Sequence, residues 1–217
     1  MQLIDELTAE HALIEEVLGS LRTFVEAVEG DPEDGAGFLR FFRRYAGDFH
    51  HAREEDILFA ALAEKAELPG DRGPIAAMVA QHAHMAGILD QMAPLLEAAV
   101  LDPAARARRQ ALAVSFSHAL WHHIDAENSV LLPESGLRLR RSHVLELPTR
   151  PPSTEEQAAR ADGELLRAKY PPLQDREILR GDGCVHCPVY GETCRGLERE
   201  WWNEWEWDEF QDHMPND

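Results

Sequence analysis

Two copies of a His-x-x-x-Glu pattern constrain the fold of this chain more than any other feature. His51 precedes Glu55 at this spacing, and His123 precedes Glu127. Residues four apart lie above one another on one face of an α-helix, so each pair can present an imidazole and a carboxylate to one point. Helix bundles hold two iron or manganese ions with ligands of this kind from facing helices. The pattern therefore predicts a dinuclear metal site inside a helix bundle.

Hydrophobic residues recur at helical spacing along four segments of the chain. The predicted helices cover about residues 3–29, 37–66, 74–100 and 103–133. Because their connections are short, they predict an all-α fold, an up-down-up-down four-helix bundle over residues 1–134. Residues 135–217 are expected to form a C-terminal extension. It begins with a linker lying over the bundle, and a Ser153–Glu156 capping box then opens a short helix that ends near Lys169.

A helical wheel at about 100° per residue places one histidine of each predicted helix at its apolar face. These inward residues, with the two glutamates of the pattern, are His11, His51, Glu55, His82, His123 and Glu127. The same wheel turns a second set towards solvent: His50, Glu54, His84, His118 and His122. A buried carboxylate without a partner would cost several kcal/mol or take up a proton, so the inward set indicates bound cations.

The order and spacing of these residues resemble the hemerythrin-like (HHE) cation-binding domain over about residues 1–134. The resemblance implies a non-haem di-iron centre, with manganese as an alternative metal. It also implies that Glu55 and Glu127 bridge the two ions and that an oxo or hydroxo group completes the bridge.

One position departs from the pattern of oxygen carriers. Oxygen-carrying hemerythrins have a second histidine four residues after the histidine of the third helix, where this chain has Ala86. Two octahedral ions offer twelve positions, of which four histidines, two bridging carboxylates and a bridging oxygen fill all but about two. The extra vacancy favours binding, sensing or reaction with oxygen, nitric oxide or peroxide over reversible oxygen carriage. A di-iron oxidase or peroxidase and an iron storage or donation protein are the alternatives.

Glu15 lies four residues after His11 and close to the same apolar stripe. Its carboxylate could accept a hydrogen bond from an imidazole N–H or act as an additional ligand. We favour the hydrogen bond, because metal-bound histidines usually donate their second N–H to such a partner.

A cluster of sulfur and nitrogen ligands follows in the extension, formed by Cys184, His186, Cys187 and Cys194. Three thiols and an imidazole could hold zinc or an iron–sulfur cluster. A redox-active Cys184–Cys187 pair and unpaired thiols in a loop are the alternatives. Further on, Trp201, Trp202 and Trp205 predict a helix over residues 195–213 whose aromatic face covers the fourth helix near Trp121 or joins two chains as a homodimer.

The net charge of −19 argues against nucleic acid and anionic membranes as partners, because phosphates would be repelled. No apolar run approaches the roughly 20 residues that span a bilayer. The first residues lack the basic and apolar regions of a signal peptide, and three cysteines do not form a secreted disulfide framework. We therefore expect a cytoplasmic protein whose partner is a small diatomic or peroxide ligand.

Overall fold

A computed structural model describes residues 1–27, 30–173 and Trp201. These residues form helices and connecting segments, without any strand in the described ranges. The cysteine cluster and the rest of the tryptophan-rich tail lie outside the described residues, so both stay predictions. No helix in the part of the chain that the structure describes is long and apolar enough to cross a bilayer.

Four long helical segments build the core of the structure. The first is α1 (Gln2–Glu26) and the third is α4 (Gly73–Leu96). The second is one continuous rod made of α2 (Pro32–Arg40), the π-helical π1 (Phe41–His51) and π2 (Glu54–Phe59), and α3 (Ala60–Lys65). The fourth is also continuous and contains α5 (Pro103–Ala126), π3 (Glu127–Leu131) and α6 (Leu132–Arg141). A further helix, α7 (Thr154–Lys169), follows.

Side-chain caps fix where three of these helices begin. The Asp102 carboxylate accepts a hydrogen bond from the Ala105 amide at 2.8 Å, so the fourth segment begins at Pro103 as predicted. Both hydrogen bonds of the predicted capping box form at the start of α7, between Ser153 and Glu156. The second helical segment begins earlier than predicted, at Pro32, because the Asp31 side chain caps it.

The fourth segment does not end near Pro133 as predicted. It continues to Arg141, so the expected linker over residues 134–152 begins as a helix. Pro133 is the second residue of α6, which follows directly after π3, so it lies where the hydrogen-bonding pattern changes from π to α. Beyond it, Ser135 and Leu139 are fully buried and hold α6 against the body of the structure.

The buried hydrophobic residues form two clusters along the long segments. The larger cluster joins α1, π1, α4, α5 and α7, and the smaller one joins the start of α1 with π2, α3, α6 and the start of α4. Each long segment passes from one cluster to the other. On α1, for example, His11 lies between Leu7 of the smaller cluster and Ile14 of the larger one. A polar layer therefore separates two apolar regions.

Helix α7 packs against α1, α2 and π1. Gly163 lies against the ring of Phe41, so closely that a β-carbon there would overlap the ring. The segment before α7 is tied to π1 through Arg150, which donates to both oxygens of Glu156 and to the carbonyl of Asp48 at 2.7 Å. Residues of the C-terminal extension thus contribute directly to the core.

Trp121 and Trp201 belong to different hydrophobic clusters. Trp121 is buried in the larger cluster, whereas Trp201 packs against the smaller one. Trp201 borders a crevice with Pro74, Val130 and Arg138. The remainder of the proposed tail helix is outside the described ranges.

Candidate metal centre

Seven side chains form the polar layer between the two hydrophobic clusters. They comprise five imidazoles and two carboxylates: His11, His50, His51, His82, His123, Glu54 and Glu127. Six are buried and His51 is half-buried. They fall into two groups that are each able to hold a metal ion, within which the ligand atoms lie no more than 4.8 Å apart.

The first group contains His11, His50, Glu54 and Glu127. The Nε2 atoms of His11 and His50 are 3.0 Å apart. An oxygen of Glu127 lies 3.2 Å from His11 Nε2, and an oxygen of Glu54 lies 3.4 Å from His50 Nε2. Two imidazole nitrogens and two carboxylate oxygens therefore converge on one point.

The second group contains His51, Glu54, His82 and His123. The Nε2 atoms of His82 and His123 are 3.0 Å apart. The ring of His51 stacks on that of His82, with centroids 3.9 Å apart and an angle of 10° between the planes. This group therefore offers three imidazoles to one point.

Both glutamates reach both groups. Oε1 of Glu54 faces His50, while its Oε2 lies 3.5 Å from His82 Nε2. Oε2 of Glu127 lies 3.2 Å from His11 Nε2 and 3.4 Å from His123 Nε2. Each carboxylate is thus in position to bridge two cations.

Hydrogen bonds at Nδ1 fix the orientation of four of the five imidazoles. Nδ1 of His50 lies 2.8 Å from an oxygen of Glu10, and Nδ1 of His82 lies 2.6 Å from an oxygen of Glu55. The equivalent partners of the other two rings are the side-chain oxygens of Asn128 at 2.8 Å from His11 and of Gln81 at 2.9 Å from His123. Because each partner oxygen accepts a hydrogen bond from the Nδ1–H group, the lone pair of the neutral ring is on Nε2, towards the centre.

The arrangement is electrostatically unfavourable without cations. Two pairs of Nε2 atoms face each other at 3.0 Å with lone pairs on both sides. The four oxygens of Glu54 and Glu127 are buried, and no other side chain or amide of the described residues donates a hydrogen bond to them. Cations placed between these atoms would satisfy all of them at once. Neutral imidazoles and carboxylates are also the donor set that suits iron or manganese.

Burial shifts the acid–base equilibria of these groups when cations are absent. Burial, and then the proximity of Glu127, raises the pKa of Glu54 well above its usual value. Burial raises the pKa of Glu127 to about 8. Burial also lowers the pKa of His50 and His123 well below the ordinary histidine value. His50 and His123 are therefore neutral and ready to bind metal, and metal binding would displace protons from the glutamates.

A chain of polar contacts supports the ring of His50 from outside. Glu10, which accepts from His50, also accepts from Arg53. Arg53 donates to Glu6 as well, at 3.0 Å, and its guanidinium lies over the ring of Phe49 at 3.9 Å. Arg53 is buried, so this contact holds Glu10 and, through it, His50 in place.

The structure brings together five of the six predicted site residues, namely His11, His51, His82, His123 and Glu127. Glu55 belongs to neither group. Its side chain is 39% exposed and bonds the far nitrogen of His82. The carboxylate between the two groups is Glu54 instead, and His50 joins it.

The solvent-facing orientation expected for His50 and Glu54 was therefore wrong, because most of the rod from Phe41 to Phe59 is π-helical. A π-helix closes its hydrogen bonds from i to i+5, so each residue turns the chain by roughly 80° rather than about 100°. Over π1 the difference accumulates to about half a turn and brings His50 to the inward side. His50-x-x-x-Glu54 was present in the sequence as an overlapping copy of the pattern.

The other predicted positions have clear surroundings. His84, His118 and His122 are exposed, as the wheel predicts. Glu15 is half-buried and belongs to neither group. The Nδ1 partner of His11, the ring for which Glu15 was considered, is Asn128.

A cavity of about 330 Å³ opens between π1, α4 and α5 and reaches the second group. His51 and His82 border its inner end, and Ala86 lies on its wall. Residue 86 is the position at which the sequence departs from oxygen carriers. Its small side chain leaves room for this opening.

The comparison with known families agrees with this geometry. The sequence model of the hemerythrin HHE cation binding domain matches residues 2–135, a range that contains all seven residues of the polar layer. The chain belongs to this family. No curated protein and no solved structure matches the chain. Family membership and the two groups together establish a hemerythrin-like domain whose histidines and glutamates are able to bind cations.

Proposed function

We propose that this hemerythrin-like protein binds two iron ions and reacts with oxygen, nitric oxide or peroxide. In this proposal His11 and His50 bind one ion, and His51, His82 and His123 bind the other. Glu54 and Glu127 bridge them, and an oxo or hydroxo group completes the pair. Manganese is the alternative metal. The four long segments are taken as an up-down-up-down bundle, since the connections at residues 66–72 and 97–102 are short.

The placement of the two glutamates supports this proposal most strongly. Each carboxylate lies within 3.2–3.5 Å of imidazole nitrogens from both groups, and none of its oxygens has a hydrogen-bond donor among the described residues. A single cation would leave one pair of facing imidazoles without a partner. Two cations satisfy both pairs and both carboxylates.

Counting ligands leaves one position for a small molecule. Two octahedral ions offer twelve positions, and five imidazoles, two bridging carboxylates and one bridging oxygen fill eleven. The sequence alone suggested about two vacancies, because it did not include His50. By this count the vacancy is on the ion that His11 and His50 bind.

The cavity beside Ala86 favours reaction over reversible carriage. It connects the solvent to His51 and His82, so water and reductants have a route to the centre. An oxygen carrier must exclude both in order to release oxygen unchanged. A solvent-connected centre suits a protein that reacts with its ligand.

The protein's own side chains would orient the ligands and tune the centre. Bound iron would supply the electrons and the Lewis acidity for reaction with an oxidant. Glu10 and Glu55 would accept hydrogen bonds from the metal-bound rings of His50 and His82 and make these rings better electron donors. The two hydrophobic clusters exclude water from the other sides of the polar layer.

Metal analysis combined with optical spectra tests the proposal. We expect two iron ions per chain and a near-ultraviolet absorption band in the oxidised protein that changes with nitric oxide or peroxide. The control is His84→Ala, which removes an exposed histidine of α4 and should change neither result. One metal ion per chain, or a spectrum that no oxidant changes, would contradict the proposal. A stable, reversible oxygen adduct would instead indicate carriage, and rapid loss of iron to a chelator would indicate donation.

A further inference from the structure

The cavity beside the second group is larger than a diatomic ligand needs. Its volume of about 330 Å³ is within the range of sites for small organic molecules. The walls are mostly apolar. They are formed by Phe42, Ala46, Met85, Ala86, Leu89, Phe116 and Leu120. The rings of Phe42 and Phe116 meet edge to face at 80°, with centroids 5.0 Å apart, and both line the cavity.

His51 provides a polar contact at the inner end of the cavity. Four imidazoles of the centre have an Nδ1 partner, but within the described residues no hydrogen-bond partner exists for either ring nitrogen of His51. His51 is also the half-buried member of the polar layer. If one of its nitrogens binds metal, the other carries a proton and can donate a hydrogen bond to an oxygen in the cavity.

The charges at the mouth of the cavity are already paired. Arg43 donates to Asp90 at 2.7 Å, and Arg44 donates to Asp48 at 2.7 Å. These four residues include two cations and two anions, so the entrance has no net charge. A charged occupant would gain little there and would lose its hydration in the apolar interior. The site therefore favours a neutral molecule.

We propose that this cavity binds a neutral phenol, with the ring against Phe42 and Phe116 and the hydroxyl oxygen on the free N–H of His51. This inference rests on the proposed function, because it needs metal on the other nitrogen of His51. It names a substrate class for the centre: a small aromatic alcohol held in contact with two metal-bound imidazoles.

Titration calorimetry of the full-length, metal-loaded protein with 4-methylphenol tests the proposal. We expect saturable binding at one site per chain, with toluene binding at least tenfold more weakly because it lacks the hydroxyl. Ala86→Leu should weaken 4-methylphenol binding at least tenfold by filling the cavity. Ala83→Leu is the matched control, since it makes the same change on an exposed position of α4 that does not line the cavity, and should bind as the parent does. Circular dichroism and metal content verify that both variants are folded and loaded.

The outcomes separate this inference from the proposed function. Protein that contains two iron ions but binds 4-methylphenol no better than toluene, or whose binding is unchanged by Ala86→Leu, overturns the phenol site and leaves the di-iron proposal standing. If the protein contains no di-iron centre and yet binds 4-methylphenol in an Ala86-dependent way, the di-iron proposal is wrong and the cavity still binds phenols. That result would also overturn the role given to metal-bound His51.

Discussion

Glu54 and Glu55 are neighbours in the chain with opposite surroundings. Glu54 is fully buried between imidazoles of both groups, whereas the side chain of Glu55 is 39% exposed and bonds the outer nitrogen of His82. Each glutamate has a histidine four residues before it in the sequence, His50 for Glu54 and His51 for Glu55. Their spacing is therefore identical, and only the local geometry of the helix distinguishes them.

Substituting these two residues in turn tests which of them holds metal. We expect Glu54→Ala to lose at least one of the two metal ions, because it removes a ligand from both groups. Glu55→Ala should retain two ions at saturating iron and weaken their binding by roughly 10–100-fold, as loss of an orienting hydrogen bond does. Iron content after dialysis, together with competition by a chelator, measures both effects. If Glu55→Ala lost metal and Glu54→Ala retained both ions, Glu55 would be the bridging residue, as the sequence pattern predicts.

The sequence was sufficient to predict the inward histidines on the α-helical parts of the chain. His11, His82 and His123 lie on α1, α4 and α5, where a wheel at about 100° per residue describes the backbone, and all three are buried as predicted. His50 and Glu54 lie on the π-helical rod, and there the same wheel failed. A π-helix depends on tertiary packing, and a single sequence does not reveal that the angle of roughly 80° per residue applies in place of about 100°.

At the scale of elements, the π-helical rod places two neighbouring histidines in different groups. His50 joins His11, and His51 joins His82 and His123. The rod is held from outside by α7, since Gly163 packs on Phe41 and Arg150 bonds Asp48. The position of the rod that carries His50, His51 and Glu54 is thus coupled to α7, a helix that lies beyond the residues matched by the family model.

The same glycine-to-alanine substitution in α7 and in α4 tests this coupling, because it should change the free energy of unfolding in opposite directions. Gly163→Ala should lower the free energy of unfolding by about 1–3 kcal/mol, because the new methyl group overlaps the Phe41 ring. Gly87→Ala, on the exposed face of α4 with no atom within 4 Å of the new methyl group, should raise it by up to about 1 kcal/mol through helix propensity. Denaturant unfolding followed by circular dichroism measures both. Equal stabilisation in the two variants would mean that α7 does not pack on the rod.

For the whole molecule, the predicted division near residue 134 falls inside a continuous helix. α6 continues the fourth segment to Arg141, and α7 adds Ala159 and Leu166 to the larger hydrophobic cluster. The sequence could not indicate this, because Pro133 and the arginines that follow it resemble the end of a helix and the start of a linker. Residues after Pro133 are helical because Leu139 is buried against the rest of the structure. Burial is a property of the packed structure, which the sequence pattern does not contain.

Two truncations compare the contribution of α7 with the needs of the metal centre. A chain of residues 1–141 keeps all seven residues of the polar layer and loses α7, and a chain of residues 1–173 keeps both. We expect the shorter chain to melt several degrees lower, because removing α7 exposes the apolar surface that Ala159 and Leu166 cover in the larger cluster. At low temperature it should still bind two iron ions, since no residue of α7 belongs to either group. Equal melting temperatures would show that α7 is dispensable for the core, and loss of iron from the shorter chain alone would show that α7 is needed to shape the centre itself.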